Sequence, residues 1–485
     1  MSHLKKETLS GMKWGMLQKL TMQPLQLVYG MVLARLITPE EMGIVGLTAI
    51  FFAIAGQLAS AGFGAALVRK IDRTEADCST MFWFNLGMSF LMGLILFLLA
   101  PWFAGFYNQA ELLWLTRVSA IMMFVNSSTS VHWTLYQCRR DFKTPAIVSC
   151  ITSIAGMPLC LTLAWLDWGV WALMWQGVFT SLLSLLIVWC ISPWKPHFIF
   201  SKASFLEMFS FGSKLAYGGV LHVFYQNIRT FIIGKFYSPA QLGLYTRGTH
   251  ITNVLPLTIN GVLGNIIYPI LSTIQNDDER LTRAYRMYIK TSTLVIAWIC
   301  MCLLAMGEPL VRLMYGENWL GCVIFVQIAS LGVAVDHICA INVNFLLVKG
   351  RSDLLLRLEV IKKSISIAML FYAATISVEA ICWASVIYIH IAIFINTYYT
   401  GKYLGLTWWR QQKDYMPYVI GSAISCIPAW FISQTEWPAL VQLSIGGFSA
   451  FVLYFGALHR LKDAAYSELY STVRSSKWGK WLPVL

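Results

Sequence analysis

Charged residues are scarce in this sequence: Asp, Glu, Lys and Arg together make up 12% of its 485 residues. Soluble domains carry about 25% of such residues, so this chain has too few to cover one or more water-soluble domains. Hydrophobic residues make up 57%, which indicates a protein whose solvent is the bilayer. The units to look for are therefore apolar stretches of about 20 residues.

A disulfide framework and a metal centre are also lacking. The 11 cysteines lie mostly inside apolar runs, as Cys150, Cys300 and Cys339 do, and no C-x-x-C pair has a metal-ligand partner. The histidines are spread over separate helices without metal-site spacing. We therefore expect small buried cysteine side chains, no metal and no cofactor.

Apolar runs separated by charged or turn-rich breaks predict an all-α integral membrane protein of about fourteen transmembrane helices. The predicted spans are 9–36, 42–68, 78–100, 112–138, 145–166, 169–192, 209–236, 240–274, 285–306, 319–348, 354–376, 379–400, 416–434 and 437–458. The connections are too short to hold a soluble catalytic domain, so the helices themselves must carry the function.

The basic residues predict the orientation. Most of the 36 Lys and Arg residues fall in the two termini and in alternate loops, while the loops on the other side hold only Arg35, Lys235 and Arg312. Short cytoplasmic loops retain Lys and Arg, because moving them across the membrane is opposed during insertion. We therefore predict a multi-pass protein of the bacterial inner membrane with both termini in the cytoplasm.

Two similar segments suggest that the chain is built from two halves. Thr38-Pro39-Glu-Glu41-Met-Gly43 follows the first predicted helix, and Ser238-Pro239-Ala-Gln241-Leu-Gly243 follows the seventh. Each has a capping residue, a proline at the first helical position and the third residue of a capping box. An even number of helices separates them, which predicts parallel repeats. Transporters with such repeats bind substrate between the halves near mid-bilayer.

The repeat divides the chain into three predicted parts. They are an N-lobe of six helices over 1–205, a C-lobe of six helices over 206–405, and two further helices with a cytoplasmic tail over 406–485.

Cations inside predicted helices are the candidate site residues. A charge in hydrocarbon costs between about 3 and more than 10 kcal/mol, so such residues face protein or a watery cavity, or extend to the interface. On the predicted seventh helix Lys214, His222, Tyr225 and Arg229 fall within about 80° of arc. Arg247 and His250 share a face of the eighth helix. Polar stripes like these either line a cavity or form hydrogen bonds between helices.

Lys19 on the first helix and Arg117 on the fourth complete the set, although Lys214 and Arg117 lie close enough to helix ends to extend to the interface instead. Several cations with almost no acids suit an anionic substrate, above all a phosphate or diphosphate. We interpret Asp336, with His337 beside it, as the one acid held within the predicted spans. It is interpreted either as a counter-ion to an arginine or as a proton or sodium coupling site.

Several weak motifs in a consistent order point to a known family. They are Gly11-Met-Lys-Trp14, Ala34-Arg35-Leu-Ile-Thr-Pro39-Glu-Glu-Met-Gly43, Arg139-Arg140-Asp-Phe142, Tyr268-Pro269 and Tyr315-Gly316-Glu-Asn-Trp319. Through about residue 460 the chain resembles the Wzx-type polysaccharide flippases of the multidrug/oligosaccharidyl-lipid/polysaccharide superfamily, and especially their colanic-acid-exporter-like branch.

The resemblance implies a transporter that flips an undecaprenyl-diphosphate-linked oligosaccharide by alternating access, for capsule, exopolysaccharide or lipopolysaccharide synthesis. It implies membrane lipids, and the polymerase and chain-length proteins of the same pathway, as partners, and H⁺ or Na⁺ as a coupling ion. Nucleic acid is not expected. The alternatives are a drug/cation antiporter of the same superfamily, or a membrane polysaccharide polymerase or acyltransferase. The sugar, the coupling ion and the oligomeric state stay open.

Overall fold

The computed structural model describes residues 2–262 and 267–475, without the side chains of residues 2–13, 15–17, 19–20, 255–262, 269, 352, 472–473 and 475. Throughout this described part the regular elements are helices. They form two compact units, which divide between Gly243 and Leu244.

The helices up to residue 262 are α1 (Ser2–Leu36), α2 (Pro39–Ser60), α3 (Phe63–Arg69), α4 (Glu75–Tyr107), α5 (Glu111–Cys138), α6 (Lys143–Trp165), α7 (Val170–Ile191), α8 (Lys202–Phe236) and α9 (Pro239–Val262). The boundary between the units falls inside α9, so α8 packs with the first unit. The division into lobes at 205 and 405 stays a prediction.

The second unit continues with α10 (Tyr268–Thr273), α11 (Asp278–Ala305), α12 (Gly307–Tyr315), a 3-10 helix (Glu317–Cys322), α13 (Val323–Val348), α14 (Ser352–Ala373), α15 (Val378–Leu404), α16 (Trp408–Ser425), α17 (Ile427–Ser433), α18 (Ala439–Arg460) and α19 (Ala464–Ser475).

Most of the long helices could cross a membrane. Over residues 2–262 and 267–475, nine stretches are long and apolar enough to do so by length and composition, namely α2, α4, α6, α7, α11, Glu317–Val348, α15, Trp408–Ser433 and α18. The other predicted spans coincide with α1, α5, α8, α9 and α14. These helices are less apolar because they carry the intramembrane cations and other polar residues. The chain is an all-α integral membrane protein with about fourteen spans.

The starts of α2 and α9 confirm the predicted caps. The Thr38 hydroxyl accepts from the Glu41 amide at 3.3 Å, and the Glu41 carboxylate accepts from the Thr38 amide at 2.7 Å, which completes a capping box. In the second copy of the segment the backbone amide of Gln241 donates to the Ser238 hydroxyl at 3.3 Å.

These two helix starts also pack against each other. A Cβ atom on Gly43 would lie 1.9 Å from the Pro239 carbonyl oxygen, and one on Gly243 would lie 1.8 Å from the Pro39 carbonyl oxygen. Each glycine therefore gives room to the proline carbonyl of the other copy, and only a residue without a side chain fits.

The predicted span 42–68 is wrong as a single helix, because the chain breaks between α2 and α3. Ala61 and Gly62 have φ angles of 41° and 70°, outside the helical region. The cause is a close crossing by α8: a Cβ atom on Gly62 would lie 2.4 Å from the Gly212 carbonyl oxygen, and one on Gly212 would lie 2.6 Å from the Ala61 carbonyl oxygen.

Several further predicted spans begin earlier in the structure than predicted, and in two of them the cause or an interruption can be identified. α11 begins at Asp278 rather than at residue 285, because the Asp277 carboxylate caps it by accepting from the Arg280 amide at 2.9 Å. The predicted span 416–434 begins earlier, at Trp408, and is interrupted at Cys426. A proline in the first turn of α17 removes one helical hydrogen-bond donor at this interruption.

Candidate functional site

α8 has a packing face lined by small residues. Gly212 lies against the Ala61–Gly62 break, and a Cβ atom on Gly219 would lie 2.1 Å from the Gln57 amide nitrogen. At about 100° per residue, Lys214, Tyr225 and Arg229 lie roughly 200–280° around the helix from this glycine line. The polar stripe of α8 therefore takes no part in packing α8 onto α2 and α3.

The predicted residues of that stripe are accessible to different degrees. Lys214 and His222 are exposed, whereas Tyr225 and Arg229 are half-buried. The His222 ring nitrogen Nε2 lies 3.2 Å from the Gln226 amide nitrogen, one turn further along. This face of α8 offers two cationic groups and several neutral hydrogen-bonding groups, which is the chemistry of an anion- or sugar-binding surface.

Arg247 on α9 is held by two aromatic rings. Its guanidinium carbon lies 4.8 Å from the ring centroid of Tyr315 and 5.6 Å from that of Trp319. Both rings are buried, with exposed fractions of 4% and 0%. Such cation–π contacts contribute about 0.5–2 kcal/mol each, the larger value when the cation is desolvated.

Local backbone geometry builds this aromatic pair. Gly316 has φ 89° and ψ −177°, a conformation that only glycine adopts readily, and it ends α12. The turn places the Tyr315 and Trp319 ring centroids 6.1 Å apart. Gly248 lets α9 lie close to the end of the 3-10 helix, since a Cβ atom there would lie 2.7 Å from the Cys322 carbonyl oxygen.

The contact between Arg247 and this aromatic pair was not predicted from the sequence. Tyr315 and Trp319 were identified as part of a family motif, without any link to Arg247. The usable signal was the glycine between two large aromatics, which indicates a tight turn rather than a continuous helix.

Arg117 lies apart from the α8 stripe. Its guanidinium carbon is 4.8 Å from the Phe97 ring centroid on α4 and 4.9 Å from the Trp114 ring centroid on α5. Its Nε atom is buried and has no hydrogen-bond partner among the described residues. Aromatic stacking, rather than an acid, stabilises this cation.

Of the remaining predicted residues, His250, Asp336 and His337 belong to the second unit, and Lys19 belongs to the first. His337 is buried, and its Nε2 lies 2.9 Å from the Thr293 hydroxyl of α11. Asp336 is half-buried and His250 is exposed. The side chain of Lys19 lies outside the described residues, so the structure does not report on that prediction.

The interpretation of Asp336 as the one acid within the spans is wrong. Glu359 already lies inside the predicted span 354–376, and α4 and α16 start early enough to include two more acids. Asp77 in α4 and Asp414 in α16 are both buried, with exposed fractions of 0% and 2%. The Arg286 guanidinium donates twice to the Asp414 carboxylate, at 2.8 Å each, and Lys290 lies 3.4 Å away. Lys70 lies 3.0 Å from Asp77. Both acids are paired with cations, as buried charges require.

Metal-binding groups are lacking in the described part of the chain, since it contains no cluster of three or more His, Cys, Asp or Glu residues that could hold an ion. The chemistry that this part does offer is the binding of anions and hydroxyl groups by arginine, lysine, tyrosine and amide side chains on membrane helices.

The sequence matches one protein-family model, described as "Polysaccharide biosynthesis protein", over residues 32–324. The chain is 24% identical over 356 residues to the teichuronic acid biosynthesis protein TuaB of Bacillus subtilis, covering 73% of this chain and 74% of TuaB. It is 23% identical over 451 residues to the succinoglycan biosynthesis transport protein ExoT of Rhizobium meliloti, covering 90% and 87%.

The fold is similar to that of a solved membrane protein. The lipid II flippase MurJ in an inward closed conformation superposes with a TM-score of 0.71 at 12% sequence identity, covering 92% of this chain and 99% of MurJ. At this identity the match establishes the fold alone, which is that of a multi-pass membrane protein.

Proposed function

The chain belongs to the polysaccharide biosynthesis protein family, and from that membership we propose that it is a flippase that moves a lipid-linked oligosaccharide across the membrane for surface polysaccharide synthesis. It is a transporter rather than an enzyme. The carrier we propose is undecaprenyl diphosphate, and the location is the bacterial inner membrane with both termini in the cytoplasm.

The observation that carries the proposal is the aromatic support of Arg247. The guanidinium lies over the rings of Tyr315 and Trp319, and these cation–π contacts fix its position inside the membrane helix. Guanidinium groups bind phosphate oxygens in a planar, bidentate way, which suits a diphosphate.

The polar face of α8 supports the same cargo. Lys214 and Arg229 supply further positive charge, while Tyr225 and His222 supply groups that can hydrogen-bond sugar hydroxyls. We propose that these residues, with Lys19, bind substrate on the first unit, and that Arg247 and His250 bind substrate on the second unit. The lipid tail stays in the bilayer. Differential binding to inward-open and outward-open states would then shift the population between them.

Coupling to an ion gradient is a further part of the proposal. Asp336 is half-buried and lies beside the buried His337 on α13. A titratable acid and imidazole inside a membrane helix are the groups that proton or sodium coupling would need. Pathway enzymes, such as a polymerase and chain-length proteins, are proposed partners.

The test is a flipping assay in proteoliposomes. A fluorescent lipid-linked oligosaccharide is incorporated, and its exposure to a membrane-impermeant quencher is followed with and without an ion gradient. We expect wild-type protein to equilibrate the probe between leaflets, and the double variant Arg229→Gln/Arg247→Gln to slow this at least about tenfold. The recovered lipid should be chemically unchanged by mass spectrometry.

The matched control is Arg312→Gln. Arg312 is also an arginine of the second unit, but it pairs with Glu308 at 3.2 Å and Glu317 at 2.9 Å, so its loss should leave flipping intact. Normal flipping by the double variant would remove the cationic site from the proposal. A covalently altered product would favour an enzyme, and transport of a cationic drug in place of the lipid would favour an antiporter.

A further inference from the structure

An apolar groove runs between α4 and α5, with a volume of about 350 Å³. Its floor is formed where the helices approach most closely, since a Cβ atom on Gly93 would lie 2.8 Å from the Ala120 carbonyl oxygen. Larger side chains stand on both sides of this contact. The walls are Phe90, Leu94, Phe97, Ile121 and Phe124.

The walls of the groove are open to the surroundings of the protein. Phe90 is 60% exposed and Ile121 is 56% exposed, although both lie on helices that span the membrane. Exposed apolar side chains on such helices are in contact with lipid hydrocarbon, so a groove among them has the chemistry to hold an acyl chain.

Arg117 marks one end of the groove. It lies one turn from Ile121 on α5, and its guanidinium stacks on Phe97, which is itself a wall of the groove. Arg117 is six residues from the start of α5 at Glu111, or about 9 Å along the helix axis. An arginine at this depth can extend toward the headgroup region.

This arginine lacks an anion in the described part of the chain. No ion pair involves it there, its Nε is buried without a hydrogen-bond partner, and two aromatic rings fix its orientation. A half-buried guanidinium beside an apolar groove is complementary to a molecule that joins an anionic group to a hydrocarbon chain.

We propose that the α4–α5 groove binds an anionic phospholipid such as phosphatidylglycerol. One acyl chain lies against the groove walls, and the phosphodiester accepts hydrogen bonds from Arg117. The loop between α4 and α5 is on the side that the charge pattern assigns to the exterior, so the lipid belongs to the outer leaflet. A single guanidinium matches the single charge of a phosphodiester, whereas a diphosphate would bring at least two charges to one cation.

Native mass spectrometry of the purified full-length protein tests this site. The protein is titrated with phosphatidylglycerol, phosphatidylethanolamine and an isoprenyl diphosphate, and bound lipids are counted for each variant. We expect phosphatidylglycerol to bind more tightly than phosphatidylethanolamine, and Arg117→Gln to weaken that binding about fivefold, the value of one basic residue at an anionic lipid surface. Arg117→Lys should restore part of it.

Two further variants separate the groove from general charge effects. Ile121→Trp fills the groove at an exposed position and should displace the same bound lipid. Lys235→Gln removes another cation of the exterior side, but the Lys235 ammonium already donates to the Phe106 carbonyl oxygen at 2.8 Å and lies over the Phe106 ring, so lipid binding should persist.

Equal binding of phosphatidylglycerol to the wild type and to Arg117→Gln would overturn the proposal, provided that thermal denaturation shows both proteins to be folded. A loss of phosphatidylglycerol binding in Lys235→Gln as large as that in Arg117→Gln would also overturn it. An Arg117-dependent preference for the isoprenyl diphosphate over phosphatidylglycerol would overturn the phospholipid assignment and identify the groove as a carrier-lipid site.

Discussion

The guanidinium carbon of Arg247 lies 4.8 Å from the ring centroid of Tyr315, so a charge in a membrane helix is held by an aromatic face. The ring attracts the cation through its quadrupole without neutralising it.

Loss of that ring should weaken substrate binding. Tyr315→Leu removes one face of the cradle, and we expect the apparent affinity for the lipid-linked oligosaccharide to fall about two- to thirtyfold, the range of one cation–π contact. Tyr315→Phe keeps the ring and should stay close to wild type. Affinity is measured from the substrate dependence of flipping in proteoliposomes, with melting temperature as the check on folding. Equal loss in both variants would assign the effect to the Tyr315 hydroxyl instead.

Substitution of the repeat glycines should destabilise the protein. A Cβ atom on Gly43 or Gly243 would meet a proline carbonyl oxygen at 1.9 or 1.8 Å, so the backbones must separate, at a cost of about 1–3 kcal/mol. We expect Gly43→Ala and Gly243→Ala each to lower the melting temperature in detergent. Gly46→Ala is the control on the same helix as Gly43, because nothing lies within 4 Å of its new Cβ atom. An unchanged melting temperature in Gly43→Ala would show that this contact relaxes freely.

The buried Asp414 should be needed to dock α16 on α11. Asp414→Ala leaves Arg286 and Lys290 without their anion. We expect the free energy of unfolding to fall by about 1–3 kcal/mol. This is less than for a fully buried pair, because Arg286 is 39% exposed. Thermal unfolding measures it.

The comparison variant for Asp414→Ala is Asp278→Ala, which removes the partner of Lys349 in an exposed pair. That change should cost less than about 1 kcal/mol. Equal effects of the two substitutions would contradict a special role for burial at Asp414.

The orientation of the chain can be tested directly. Epitope tags inserted in full-length protein beside Asn108 and beside Trp437 should be reached by antibody in intact spheroplasts, because both lie in loops on the side poor in Lys and Arg. A tag beside Asp72, in a basic loop, should be reached only after permeabilisation. The reverse pattern would overturn the predicted topology, and with it the placement of the termini in the cytoplasm.

Much of the fold could be predicted because hydropathy acts locally. The predicted spans coincide with one or two helices each within the described residues, and residues 263–266 of the span 240–274 lie outside them. The caps at Thr38 and Ser238 follow from short-range hydrogen bonding. The break at Ala61–Gly62 could not be predicted, because it depends on Gly212 of α8, which is distant in sequence and close in space. The burial of Asp414 depends in the same way on Arg286 and Lys290 of another helix.

The candidate site was predicted in part for the same reason. An arginine in an apolar helix can be recognised from the sequence as a candidate, since a charge in hydrocarbon is costly. Arg117, Arg229 and Arg247 were selected in this way. What surrounds each arginine is a property of the folded chain. Tyr315 and Trp319 support Arg247, and Phe97 and Trp114 support Arg117 beside an open groove.

The sequence by itself therefore determined that this chain is a membrane protein of many helices, with cations inside some of them. Composition, hydropathy and the distribution of basic residues are enough for this, because they depend on each residue's own free energy of transfer. Only the tertiary structure decided which helices break, which acids are buried and which rings hold each arginine. Those outcomes depend on contacts between residues far apart in sequence, whose energies no single segment contains.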